Sequence, residues 1–312
     1  MDPVKAVSHD PRAIAWDGVE FNVPWNWELG LYKFLRKGVS RIEIEDEYSV
    51  RLETEWIRPS KRGFNRDVVL KRYQEAAEQF SRKASETAAI TGLPPGWTAN
   101  RFVLKEMVPS KKKRGLELAE SEHICALYLC PRGTLLMFVL LHFLPDDREK
   151  PLKVMTMIAE SFRHHTDERL IPWKLYDIAF ELPRDFLLES TLFDVGSKLM
   201  IFRWKTRRLY LWHFSCADMF LKSGVVQEDW VTGYLNGCAL IRGPVFIPGK
   251  NGGVLWKRYW KHPFGHRDEI GRLCFKYKIH CRRDMVKNQL IVWVFHHRKP
   301  EDLEMIPADL LA

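Results

Sequence analysis

Arg203-Trp204-Lys205-Thr206-Arg207-Arg208 sets four cations around one indole within six residues. Two more clusters follow in the same half of the chain. One is Trp256-Lys257-Arg258-Tyr259-Trp260-Lys261-His262, continued by His266-Arg267; the other is Lys276, Lys278, Arg282 and Arg283. A basic run, Lys111-Lys112-Lys113-Arg114, lies in the first half. Cationic side chains meet phosphates or carboxylates, and exposed aromatic rings offer stacking platforms. Arg203, Lys205, Arg207, Arg208, Lys257, Arg258, Lys261 and Arg267, with Lys111, Lys112, Lys113 and Arg114, are therefore the candidate partner-binding residues. The candidate partner is an acidic protein, or a nucleic acid or ribonucleoprotein. The competing reading puts Trp204, Trp256 and Trp260 in a core, with Lys and Arg stems lying over them.

Other chemistries find less support. Gly243-Pro-Val-Phe-Ile-Pro-Gly249-Lys250-Asn251 is one residue too long for a phosphate loop, has Asn251 where a metal-binding hydroxyl belongs, and contains two prolines. His262 and His266 are four apart, but Pro263 opposes the helix that would align them. His164-His165 fall at an expected helix C-terminus, and His296-His297 end an expected strand. In Glu43-Ile44-Glu45-Asp46-Glu47, alternation puts Glu43, Glu45 and Glu47 on a solvated strand face rather than around a cation. No G-x-S-x-G elbow is present. No catalytic, cofactor-binding or metal-ligating residue is assigned. A hydrolase site between two domains, or a structural subunit of an oligomer, stands as the alternative to a binding protein.

The elements that must position these residues follow from length and pattern. At 312 residues the chain exceeds the roughly 250–300 at which one core stops growing, so two domains are expected. Twelve Trp and an apolar share of 46% exclude a disordered chain. No window approaches the roughly 18 unbroken apolar residues of a membrane span. The opening Met1-Asp2-Pro3-Val4-Lys5 lacks a basic segment before an apolar core, so a cytoplasmic location is expected. Six scattered cysteines without a C-x-x-C pair fit reduced thiols. Charge divides unevenly: residues 1–170 hold 27 Lys+Arg against 25 Asp+Glu, and residues 171–312 hold 22 against 15. The basic character lies in the second half.

Val19, Phe21 and Val23 alternate with Glu20 and Asn22 as a half-buried strand that Pro24 ends. Ile178-Ala179-Phe180-Glu181-Leu182-Pro183 repeats this pattern, with Phe186 three residues after its proline as Trp27 follows Pro24. In the first half, residues 1–15 read as an irregular arm, and residues 27–37 suit a short helix or a strand. Hairpins are expected over 42–56 and 123–143, and helices after Asn65 and over 152–163. In the second half, Leu199–Trp204 with Leu209–Phe214 and Leu273–His280 with Gln289–His296 read as hairpins, and Asp229–Leu235 as a helix.

Phe21-x-Val23-Pro24-x-x-Trp27 near the start and Ile158-Ala159-Glu160-Ser161-Phe162-Arg163 at the close of this half resemble the two edges of the fold shared by PsbP of photosystem II, the bacterial DcrB lipoproteins and the Ran-binding Mog proteins. Phe180-x-Leu182-Pro183-x-x-Phe186 matches the first edge alone. The resemblance implies an antiparallel sheet of about six strands with helices on both faces, used for docking to macromolecules, and carries over no catalytic residue. The expected fold is α+β, with two tandem antiparallel-sheet domains and flanking helices. Its domains are residues 1–170 and a more basic, partly degenerate copy over 171–312.

Overall fold

Asp17-Gly18 is the first point at which local chemistry decides the chain path. In the computed structural model both residues have positive φ, 47° and 82°, as a two-residue type I′ hairpin requires. This turn joins β1 (Arg12–Trp16) to β2 (Val19–Val23). The structure describes residues 10–34, 39–57, 67–109, 116–145, 147–165, 168–175, 178–221, 224–241, 245–249, 253–257, 276–307 and 310. Among the described residues the chain divides into two compact units, Met1–Phe180 and Glu181–Ala312.

After Pro24, whose carbonyl accepts the Trp27 N–H at 3.0 Å, β3 (Glu28–Phe34), β4 (Val39–Glu45) and β5 (Val50–Ile57) form a meander. Helix α1 (Asp67–Lys83) opens on Asp67 and closes on Arg82 and Lys83, charges that suit the helix dipole. It runs directly into β6 (Ala84–Ile90), followed by β7 (Trp97–Pro109), β8 (Leu116–Leu129) and β9 (Leu136–Phe143). These seven strands form one sheet in the order β3-β4-β5-β9-β8-β7-β6. Helix α2 (Pro151–Ser161) buries Val154, Met155, Ile158 and Ala159. The Asn22 N–H of β2 donates to the Ser161 hydroxyl at 2.9 Å, tying the opening strand to the end of this helix. With β10 (Arg163–His164), β11 (Leu170–Leu175) and β12 (Ile178–Pro183), the first hairpin builds a five-stranded sheet in the order β10-β2-β1-β11-β12.

The second unit begins with the same local device, since Phe186 N–H donates to the Pro183 carbonyl at 2.9 Å. Then come β13 (Leu187–Asp194), β14 (Ser197–Trp204) and β15 (Arg207–Ser215), the helices α3 (Ala217–Phe220) and α4 (Gln227–Gly237), and a ribbon of β16 (Val245–Pro248) and β17 (Val254–Lys257). β18 (Lys276–Asp284) and β19 (Gln289–His297) complete a sheet ordered β13-β14-β15-β19-β18, and a 3-10 turn covers Pro300–Met305. Its core joins Trp212, Phe214, Val231, Leu235, Phe246 and Val292 between α4, the ribbon and the sheet.

Nineteen strands in four sheets against four helices make the described chain β-rich, which corrects the α+β expectation and its flanking-helix layout. The six-stranded unit that the resemblance implied does not form; the main sheets have seven and five strands. The helical estimate was too high because several strands lack a readable period. β6 is exposed on both faces along Ser85–Ala89, so no alternation marks it. β1, β11 and β13 were likewise unread, and residues 28–34 resolve as strand rather than helix.

Gly96 supplies a local stability test. It has φ +92°, and a Cβ there would stand 2.8 Å from the Leu129 carbonyl oxygen and 2.9 Å from a Tyr128 ring carbon. Both the backbone conformation and the space exclude a side chain. Gly96→Ala is expected to cost about 1–3 kcal/mol, read as a lower urea midpoint at unchanged slope. A midpoint equal to the parent's would show that this turn relaxes freely.

Candidate functional site

The register of the second sheet carries the first sequence-predicted cluster to one end of it. Trp204 pairs with Arg207, leaving Lys205 and Thr206 as a two-residue hairpin loop with Lys205 at φ 55°. Arg208 pairs with His296 and His296 with Tyr277; one step farther out, His297 pairs with Lys276. Segments remote in sequence thus share one end of the sheet.

The Trp204 ring stacks on the buried Phe186 ring, with centroids 5.8 Å apart. Lys205 Nζ and Arg207 Cζ lie over it, 5.2 and 4.9 Å from its centre, within cation–π range. Arg207 also donates from Nε and Nη2 to Asp302 at 2.9 and 2.8 Å, a fork that fastens the 3-10 turn to the sheet. Burial by itself would raise the Asp302 carboxyl. The Arg207 fork and the backbone N–H groups of Lys299 and Arg298 outweigh burial and hold it below the usual carboxylate range. Arg208 grips Glu189 in the same way, at 2.8 and 2.9 Å.

Two of the four predicted cations here, Arg207 and Arg208, are therefore committed to carboxylates of the chain itself. Arg203 and Lys205 are exposed, and Lys276, Lys278, Arg298 and Lys299 are exposed near the same end. Arg298 and Lys299 escaped sequence reasoning because they sit in no cluster; strand pairing alone brings them there. Lys111, Lys112, Lys113, Arg114, Arg258, Lys261 and Arg267 lie outside the described residues, and of Lys257 only the backbone, closing β17, is described. Of the glycine-rich stretch over 243–251, Val245–Pro248 is a strand paired with β17.

A second polar assembly lies on the face of the seven-stranded sheet that α1 covers. Arg41 binds Glu43, Glu53 and Glu55, and Arg72 of α1 reaches Glu55 at 2.9 Å. His142 Nε2 meets Glu53 at 3.2 Å, and His142 Nδ1 lies 3.0 Å from His123 Nδ1. His123 Nε2 in turn meets Ser121 Oγ at 3.0 Å and Glu106 at 3.1 Å, while Phe80 of α1 stacks on its ring at 4.6 Å. Of the three glutamates expected on a solvated face, Glu45 and Glu47 are exposed, while Glu43 is partly buried against Arg41.

Proton counting defines what this chain of groups can hold. A carboxylate only accepts, so each Nε2 facing one carries hydrogen. A hydrogen bond between the two Nδ1 atoms needs one shared hydrogen. Three N–H hydrogens on two imidazoles give the pair a single positive charge between Glu106 and Glu53. Burial, then the charge on His142, push the His123 imidazolium below its ordinary range against the pull of Glu106. The Ser121 hydroxyl stands beside an imidazole as a nucleophile stands beside its base. Ser121 is fully buried and donates to Glu106, so the arrangement presents no hydroxyl to a substrate.

His164-His165 were expected to end a helix, but both lie beyond α2. His164 is in β10, and buried His165 bridges Glu20 at 3.1 Å and Glu168 at 2.8 Å. Lys174 takes the other Glu20 oxygen at 2.6 Å. The five described cysteines are free, and burial pushes the Cys125 thiol up to about 12. Among the described residues no cluster of three or more His, Cys, Asp or Glu could hold a metal ion, and no helix is long and apolar enough to cross a membrane.

No family model and no curated protein matches the chain. Among solved structures, a protein of Bacteroides thetaiotaomicron VPI-5482 aligns over 75% of this chain and 63% of its own, at 8% identity and a TM-score of 0.30. MucB aligns over 95% and 89% at 8% identity with a TM-score of 0.17. MucB in complex with MucA(peri) aligns over 93% and 90% at 10% identity with a TM-score of 0.16. Likenesses this loose carry no argument about function.

Proposed function

We propose that the chain is a non-catalytic binding protein that docks an acidic macromolecule at the Trp204 end of its second sheet. The observation that supports this reading is the gathering of six exposed cations, Arg203, Lys205, Lys276, Lys278, Arg298 and Lys299, from three segments at one end of a rigid sheet. Arg207 through Asp302 and Arg208 through Glu189 brace the two faces of this end, and the underlying ladder costs little further order on binding. An enzymatic reading draws less support. The Ser121–His123 contact is buried, with Ser121 fully enclosed.

The test is binding to immobilised heparin, a polyanion without sequence. With about six cations engaged, affinity is expected to fall roughly a thousandfold between 50 and 200 mM salt. Reversing Arg203, Lys205 and Lys276 to Glu should move elution to distinctly lower salt. The control reversal Lys71→Glu, Arg82→Glu, Lys105→Glu in the first unit should elute near the parent. Equal shifts from both sets would mean that total charge, not this surface, governs binding.

A further inference from the structure

We infer that the partner at the Trp204 surface is an acidic polypeptide segment rather than a nucleic acid; the inference rests on the docking reading above. Charge alone serves both partners, so the decision lies in what else the surface offers. Binding of single-stranded nucleic acid adds base stacking on exposed rings to its phosphate contacts. At this end of the sheet the rings are already taken. Trp204, partly exposed, rests on Phe186 and carries Lys205 and Arg207 over its ring, so a base could stack there only by displacing its own chain's cations. Phe186 and Phe295 are buried, and His297 is buried against Phe295 at 5.8 Å. His296 is likewise enclosed, stacked on Tyr277 at 4.8 Å.

What remains outward is charge, mostly lysine ammonium groups. Lys276 and Lys278 alternate along β18, an edge strand of its sheet among the described residues, so their side chains recur about 6.6 Å apart on one face. An extended acidic segment repeats its carboxylates at that same two-residue spacing, and cross-strand pairs of opposite charge are favourable. The Arg207 fork on Asp302 shows that a carboxylate fits beside Trp204 when it reaches it.

Three fluorescent probes separate the outcomes in full-length protein at fixed moderate salt: a Glu/Asp-rich 15-residue peptide, a single-stranded oligonucleotide and a duplex, matched in net charge. The peptide is expected to bind about tenfold or more tighter than the single strand, which forgoes the stacking worth a factor of that order per base. Lys205→Glu with Lys276→Glu and Lys278→Glu should abolish peptide binding. An oligonucleotide, single or double, binding as tightly as the peptide would overturn the inference while leaving a docking surface in place. Single-strand binding lost in Trp204→Leu would do the same, by showing that the indole opens to a base. If no probe binds, the docking reading fails and takes this inference with it.

Discussion

Arg51→Met is expected to destabilise the first unit by about 3–5 kcal/mol, the cost of leaving buried charge without its partner. Only 2% of the Arg51 side chain is exposed, and the Asp46 and Asp147 carboxylates it binds are nearly as enclosed. Arg51 Nε donates to Asp46 at 2.7 Å, and Nη1 and Nη2 donate to Asp147 at 2.5 and 2.9 Å. Each aspartate also shapes its own turn. Asp46 accepts the N–H groups of Tyr48 and Ser49, and Asp147 accepts that of Leu144. The guanidinium therefore clips the β4–β5 turn to the segment after β9, nearly a hundred residues away.

Removing the cation strands two carboxylates that cannot leave without undoing both turns. The triple variant Arg51→Met, Asp46→Asn, Asp147→Asn keeps the turn acceptors and removes the charges, so it should recover a large part of the loss. Hydrogen exchange of the Val39–Ile57 amides, compared across the two variants and the parent, checks both statements. A triple variant no more stable than the single one would mean that packing, not unpaired charge, is what Arg51 supplies.

Acid is expected to weaken the same unit through the His123–His142 pair. The pair holds one positive charge, and a second proton would turn two Nδ1–H groups toward each other across 3.0 Å. His123 is depressed in the folded state, by burial first and by the charge on His142 next. A depressed group contributes stability that is present above its unfolded value, near 6.5, and is lost as pH falls through the folded value. The groups facing the pair are Glu106 from β7, Ser121 from β8 and Glu53 from β5, with Arg41, Glu55 and Arg72 one contact farther out. Glu106 and Glu53 are themselves held below the usual carboxylate range. His142 is the first cause for Glu53, while hydrogen bonds from Ser121 and His123 overcome burial at Glu106. Their contribution is lost at lower pH than that of His123.

Stability should therefore drop as pH falls below about 6.5, with a slope of up to ~1.4 kcal/mol per pH unit for one proton. His123→Phe keeps a ring under Phe80 and removes that proton, so its profile should be flatter over the same window even though the variant is less stable at neutral pH. An equally steep acid loss in His123→Phe would refute the proton count.

Some of this was legible residue by residue. The alternation of Val19, Phe21 and Val23, the stop at Pro24, the hairpins at 42–56 and 199–214 and the helix after Asn65 stand where the sequence put them, because each is a local property of its element. β6 and β13 were not legible, since an edge strand with exposed faces carries no alternation to detect. The charged face of Arg41, Glu43, Glu53 and Glu55 shows a different limit. Period two correctly separated it from Ile42, Ile44, Leu52 and Trp56, but separation says nothing about which face meets water. Here Arg72 of α1 reaches the buried Glu55, while Arg41, Glu43 and Glu53 stay partly exposed around it.

By itself the amino-acid order determined where basic and aromatic residues accumulate and where several strands turn, because those follow from neighbours a few residues apart. Only the tertiary structure decided which cations stay outward. Arg207 and Arg208 meet Asp302 and Glu189, ninety-five and nineteen residues away, and Arg298 and Lys299 join the surface only through pairing of β19 with β15 and β18. The reason is physical: a side chain's charge is written in its residue, but its partner is chosen by strand register, which depends on the whole sheet at once.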